Sequence, residues 1–217
     1  MGHPLSIVKY LYLLKTVLKK ALSKSDFAEI RFDYLKKSDI PIVLENSKKS
    51  LSRCVCTLRP KSEGGLFVGN ESERKSILRL IAEYNPYLLD VEFNTIQKDK
   101  KLASYLKKSK CELLISWHDF KKTPNESQLK SRFNKMRKFS NVVKIVTVAK
   151  NVSDASRLLS LYSIKSKSKT VAFCMGDQGK FSRILCLHLG SPFTYVSLGK
   201  AIAPGQFSVD EIKSLEN

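Results

Sequence analysis

The sequence predicts an α/β chain of the (β/α)8 TIM-barrel type, in which the first strand is the one stave left uncertain by the pattern. Strand-like runs recur seven times, and helical patterns separate most of them. No glycine-rich phosphate loop follows the early strands, which weakens the competing doubly wound open sheet. Barrels of this kind commonly exceed 217 residues, so the expected organisation is a single barrel domain over residues 1–217, with residues 1–25 as an atypical opening.

That opening, "MGHPLSIVKYLYLLKTVLKKALSKS", is interrupted by Lys9 and Lys15 and is too short and too charged to span a bilayer. Ile7, Leu11, Leu14, Leu18 and Ala21 recur at helical spacing, so residues 6–23 read as one helix. Packing against the domain explains this more simply than binding to a membrane surface. The strand-like runs that follow are "FAEIRF", "RCVCTLR", "YLLDVEF", "ELLISWH", "VVKIVTV", "TVAFCM" and "FTYVSL". Between them lie "NESERKSILRLIAEY", "TIQKDKKLASYLKKS", "NESQLKSRFNKMRKF" and "VSDASRLLSLYS", several with a capping Asn, Thr or Ser at the start.

Alternate residues of a strand face opposite sides, so parity separates the faces. Glu29, Arg31 and Asp33 share one side, and Ala28, Ile30 and Phe32 the other. Arg59 falls with Val55 and Thr57, opposite Cys54, Cys56 and Leu58. Asp90 and Glu92 oppose Leu89, Val91 and Phe93, while Leu114, Ser116 and His118 oppose Leu113, Ile115 and Trp117. Helices cover the outside of a barrel, so these polar faces are expected to meet inside, at its C-terminal end. Charges gathered there need mutual pairing or a ligand.

A hydrophobic content of 42% excludes general disorder, and the formal net charge of +19 should attract anions over a long range. The basic residues are spread along the chain without a block of interleaved aromatics, so a solvated cationic surface is expected and nucleic acid is not an expected partner. Cys54, Cys56, Cys111, Cys174 and Cys186 have neither disulfide-scaffold nor zinc spacing, so no metal is expected and a reducing cytoplasm fits best.

The run "NVVKIVTVAK" places Lys144 among β-branched residues of both parities, as in a strand buried on both faces. Taken alone, a lysine that reaches solvent from one end of the strand is the simpler reading. The alternative is a desolvated amine, which burial can turn into a nucleophile at neutral pH. The polar strand faces would supply its company.

Six stretches carry a resemblance: "EIRFD" at 29–33, "CTLRPKSEGG" at 56–65, "SWHDF" at 116–120, "VVKIVT" at 142–147, "GDQGKFSR" at 176–183 and "APGQ" at 203–206. In order and approximate spacing, across residues 27–217, they resemble type I 3-dehydroquinate dehydratase. The resemblance implies a (β/α)8 barrel that converts 3-dehydroquinate, a small-molecule substrate, to 3-dehydroshikimate through a lysine imine, with no metal and no organic cofactor. It makes Lys144 the imine-forming amine and His118 the general acid and base, a role that imidazole suits because it titrates near neutrality. Without the resemblance, His118 would more often be a hydrogen-bonded core residue. Glu63 would orient and polarise His118. Glu29, Arg31 and Arg59 would contact the substrate, with a salt-bridge cluster at the barrel mouth as the structural alternative. Arg183 would bind the substrate carboxylate through its planar fork, and Gln206 would close the site from the last loop. Met175, Phe173 and Tyr195 would form apolar walls, although Phe173 reads equally as core.

The opening departs from the family, which usually begins with a short strand. Either "LSIVKY" serves as that strand or one stave is missing. Ile202 stands where a serine commonly precedes the "APGQ" alanine, which removes one hydroxyl contact. Alternatives are another lysine-imine barrel enzyme of the class I aldolase type, a cationic nucleic-acid-binding protein, and a degraded barrel that binds the metabolite without turnover. The sequence itself leaves the oligomeric state open; a homodimer is what the family suggests.

Overall fold

The computed structural model describes residues 7–199 and 203–215. The chain divides into two compact units, residues 1–91 with 100–112, and residues 92–99 with 113–217.

In the first unit, helix α1 (Ile7–Lys24) leads into strand β1 (Ala28–Arg31). Helix α2 (Ile40–Ser47) and a 3-10 segment precede β2 (Cys54–Thr57), and α3 (Glu71–Glu83) precedes β3 (Leu88–Glu92). The strands are parallel, with Ala28 beside Cys54, and Val55 beside Leu88. Residues 7–10 belong to α1, so they do not supply the uncertain first stave. Asn70 begins α3 as the motif predicts: its side chain accepts from the Glu73 N–H at 2.9 Å while the Glu73 carboxylate accepts from the Asn70 N–H at 3.0 Å. Leu78, Ile81 and Ala82 then bury one face of the helix.

The segment expected as one helix at 95–109 is two, α4 (Phe93–Lys98) and α5 (Lys100–Lys108), because Asp99 between them has extended backbone at φ −120°, ψ 91°. Helix α5 buries Leu102 and Leu106 and turns its lysines outward.

The second unit contains β4 (Leu113–Asp119), α6 (Glu126–Met136), β5 (Val142–Val148), α7 (Val152–Leu159), β6 (Lys169–Met175), α8 (Ser182–His188) and α9 (Val209–Leu215). Helix α6 opens with a second reciprocal cap, Asn125 with Gln128. Strand β5 is central to β4-β5-β6, all parallel, and its residues Val142–Thr147 are buried on both faces. Register sets Ser116 beside Lys144 beside Val171, and His118 beside Val146 beside Phe173.

The fold class is α/β of the TIM-barrel type, with six strands among the described residues rather than eight. The run "FTYVSL" is not a strand. Ser197 donates to the Phe207 carbonyl at 2.9 Å and accepts from the Val209 N–H at 2.9 Å, so the returning chain satisfies its backbone. Phe193 and Tyr195 of that run pack on a cluster of Val146, Val171, Phe173 and Met175. No helix among the described residues is long and apolar enough to cross a membrane.

Candidate active site

Residues in register on neighbouring strands project to the same side of a sheet. Ser116, His118, Lys144, Val146, Phe173 and Met175 therefore share one face of β4-β5-β6, which brings together four of the residues singled out from sequence, His118, Lys144, Phe173 and Met175. Lys144 is 5% exposed, so the reading in which it reaches solvent from a strand end does not hold. Its Nζ lies 3.9 Å from the centroid of the Tyr195 ring. His118 is half-buried at the C-terminal end of β4, and its ring stacks on Phe120 at 5.9 Å. Beyond it, the Asp119 carboxylate accepts from the N–H groups of Lys121 and Lys122 at 2.9 and 3.1 Å and turns the chain. Thr123 then hydrogen-bonds the Thr147 hydroxyl at 2.7 Å and donates to the Val148 carbonyl at 2.9 Å, tying the segment after the histidine to β5.

Arg183 comes from α8 and is 2% exposed. Its guanidinium carbon stands 4.4 Å over the Phe173 ring, and its Nε has no hydrogen-bond partner. Among the described residues no carboxylate pairs with it. Burial pushes the group down to about 10, with Cys186 and Cys174 acting weakly in the other direction. A buried guanidinium with an unfilled donor has the geometry to accept a planar anion.

The "APGQ" segment turns tightly, Gln206 N–H donating to the Ala203 carbonyl at 3.1 Å and its side chain accepting from the Ala203 N–H at 3.3 Å. Pro204 accepts from the Gly176 N–H at 3.3 Å, just past the end of β6. Gly205 has φ +71°, and a Cβ there would stand 2.7 Å from the Gly176 carbonyl oxygen, so the two backbones meet where only glycine fits. Ile202 lies outside the described residues.

In the first unit Arg59 and Asp90, both buried, form an ion pair at 2.5 Å. The chain folds back over Arg59: Gly65 donates to the Pro60 carbonyl at 3.0 Å, and a Cβ on Gly65 would lie 2.0 Å from the Arg59 oxygen. Glu63 is buried within this fold. Glu29 accepts from the Thr57 hydroxyl at 2.8 Å. Arg31 binds Asp33 through both Nε and Nη2, at 2.8 and 2.7 Å, although Asp33 lies past the end of β1 in a 3-10 turn. Burial pushes the Asp33 carboxyl up, but the Arg31 hydrogen bonds and charge, with the Leu66 and Arg59 N–H groups, outweigh it and hold the group below the usual carboxylate range.

Sequence reasoning did not assign roles to Asp90 as partner of Arg59, to Tyr195 as the ring beside the amine, or to Thr123. The parity of Asp90 was a usable signal; the other two depend on chain returns that no local pattern encodes. All five cysteines are free and buried, and burial pushes Cys54 and Cys111 up to about 12, so they are inert thiols. Among the described residues no group of three or more His, Cys, Asp or Glu could hold a metal ion.

A family model described as type I 3-dehydroquinase matches residues 8–216. The chain belongs to the type I 3-dehydroquinase family. A 3-dehydroquinate dehydratase of Pyrobaculum aerophilum is 40% identical over 186 residues, 84% of this chain, and the chain spans only 60% of that relative's length. The enzyme of the same name from Methanocaldococcus jannaschii is 32% identical over 202 residues, covering 91% of this chain and 89% of that one. Among solved structures, the 3-dehydroquinate dehydratase from Aquifex aeolicus VF5 superposes with a TM-score of 0.78 at 29% identity, over 92% of this chain and 90% of that one.

Proposed function

We propose that Lys144 forms the imine through which this chain, a type I 3-dehydroquinase, removes water from 3-dehydroquinate to give 3-dehydroshikimate in the shikimate pathway. The observation that carries the assignment is a buried primary amine on β5 that shares its sheet face with His118. The neutral amine attacks the C3 ketone. The N–C3 bond forms, the ketone oxygen leaves as water with one proton from the amine and one from an acid, and the nitrogen keeps one hydrogen and a positive charge. His118 supplies that acid. It then removes a C2 proton, so that the C–H electron pair flows toward nitrogen and gives an enamine. Return of that pair expels the C1 hydroxyl as water, with the proton delivered by His118. Hydrolysis of the conjugated imine frees product and amine.

Arg183, with its unfilled Nε, receives the substrate carboxylate. Gln206 closes the same end, and Met175 and Phe173 wall the ring. From the first unit, Glu63 orients His118, and Glu29, Arg31 and Arg59 bind substrate; these four rest on their match to the family motifs. With Nε and one Nη2 hydrogen of Arg31 engaged by Asp33, Nη1 and the second Nη2 hydrogen are the donors left for a ligand. The two compact units of residues 1–217 act as one catalytic domain. Free cysteines support a reducing cytoplasm, and the family supports a homodimer.

Incubation with 3-dehydroquinate and sodium borohydride, followed by peptide mass analysis, tests the assignment. A reduced adduct is expected on Lys144. An adduct on another lysine, or turnover with no adduct at all, rejects it.

A further inference from the structure

Among the described residues of the second unit, the buried cations Lys144 and Arg183 each lie against an aromatic face. Lys144 Nζ is 3.9 Å from the Tyr195 centroid, and the Arg183 guanidinium is 4.4 Å from that of Phe173. The rings are neighbours. Phe173 and Tyr195 lie 6.0 Å apart at 52°, and Phe193 meets Tyr195 edge-on at 5.7 Å and 73°. Tyr195 is thus held between two aromatic side chains with Nζ well inside the roughly 6 Å range over which a ring quadrupole attracts a cation.

The charge on this nitrogen changes during the reaction proposed above. It is absent in the attacking amine and in the enamine, and present in both imine stages. A fixed π-face therefore stabilises some stages and not others, which is what acceleration requires. Its attraction is strengthened by burial, because there is little water to screen it. A protonated imine is planar and can lie along the ring, whereas an ammonium touches it at one point.

We propose that Tyr195 is a further catalytic residue of this site, its ring face stabilising the positive charge that develops on Lys144 Nζ. This rests on the imine assignment to Lys144. The test replaces Tyr195 with phenylalanine and with a series of increasingly fluorinated phenylalanines, ending in pentafluorophenylalanine, which drains the face of negative potential while changing shape little. With the phenylalanine variant as the reference, pentafluorophenylalanine should lower kcat about tenfold or more, and intermediate rings should fall between in order of fluorination. The fraction of protein trapped by borohydride on Lys144 should decline in parallel. A flat series with the adduct still on Lys144 overturns the role of the ring alone. An adduct on another lysine in the unmodified protein overturns the imine assignment together with this inference.

Discussion

The buried cations of the two units are kept in different ways. In the first, guanidiniums have carboxylates: buried Arg59 has Asp90, half-buried Arg31 has Asp33, and buried Arg74 binds both oxygens of Glu71 while also donating to the Leu58 carbonyl. In the second, Lys144 and Arg183 rest on rings, and Arg183 has no carboxylate partner among the described residues. Burial disfavours the charge of Arg31 and of Arg183 alike. Asp33 and Glu29 outweigh it at Arg31, whose guanidinium is held more firmly protonated than usual, whereas Arg183 is pushed down to about 10. An internally neutralised guanidinium has only its unengaged N–H groups to offer a ligand. One supported by a π-face still has its charge and its donors to offer to an incoming anion.

The contrast can be broken experimentally. Lys144→Met exchanges the cation for a neutral chain of similar length and should reduce turnover to the uncatalysed background while the thermal unfolding profile stays cooperative; residual turnover with no lysine at this position would refute the imine route. Asp90→Ala removes the carboxylate paired with the buried Arg59 and should cost about 3–5 kcal/mol of stability, read from denaturant midpoints. Arg183→Met removes a charge that has no internal counter-ion, so stability should hold or rise, while KM climbs roughly ten- to a hundredfold with the loss of about 1.5–3 kcal/mol of carboxylate binding. Equal destabilisation by the Asp90 and Arg183 substitutions would erase the distinction between the units.

A smaller effect separates the pairs by pH. The folded-state Asp33 carboxyl lies below its unfolded value of about 3.9, so its contribution is fully present above that value and is lost as pH falls through the depressed folded value. Urea midpoints measured between pH 5 and pH 2 should therefore fall more steeply for the parent than for Asp33→Asn. Parallel slopes would mean that the Arg31 pair contributes nothing to acid resistance.

Much of this arrangement could be read from local pattern. The β-branched run around Lys144 predicted a strand buried on both faces, and "NES" before two apolar-periodic stretches predicted caps at Asn70 and Asn125, to which the structure adds the return bonds from Glu73 and Gln128. Strand parity put His118 and Ser116 together, and register adds Lys144 to them. What escaped were features set by distant chain. "FTYVSL" has strand composition, but the segment returning at Phe207 and Val209 takes its backbone bonds. The break at Asp99 sits inside a helical repeat that continues on both sides. Asp90 and Tyr195 become partners of cations only once strands and loops are packed.

The meeting of Gly205 with Gly176 sets limits on how this protein can be diversified. A combinatorial library that randomises the "APGQ" stretch to re-tailor which ligands are accepted would lose most members at position 205 for lack of space, before chemistry is sampled. Diversity is better introduced at Ala203 and Gln206, with the glycine pair left as a fixed latch.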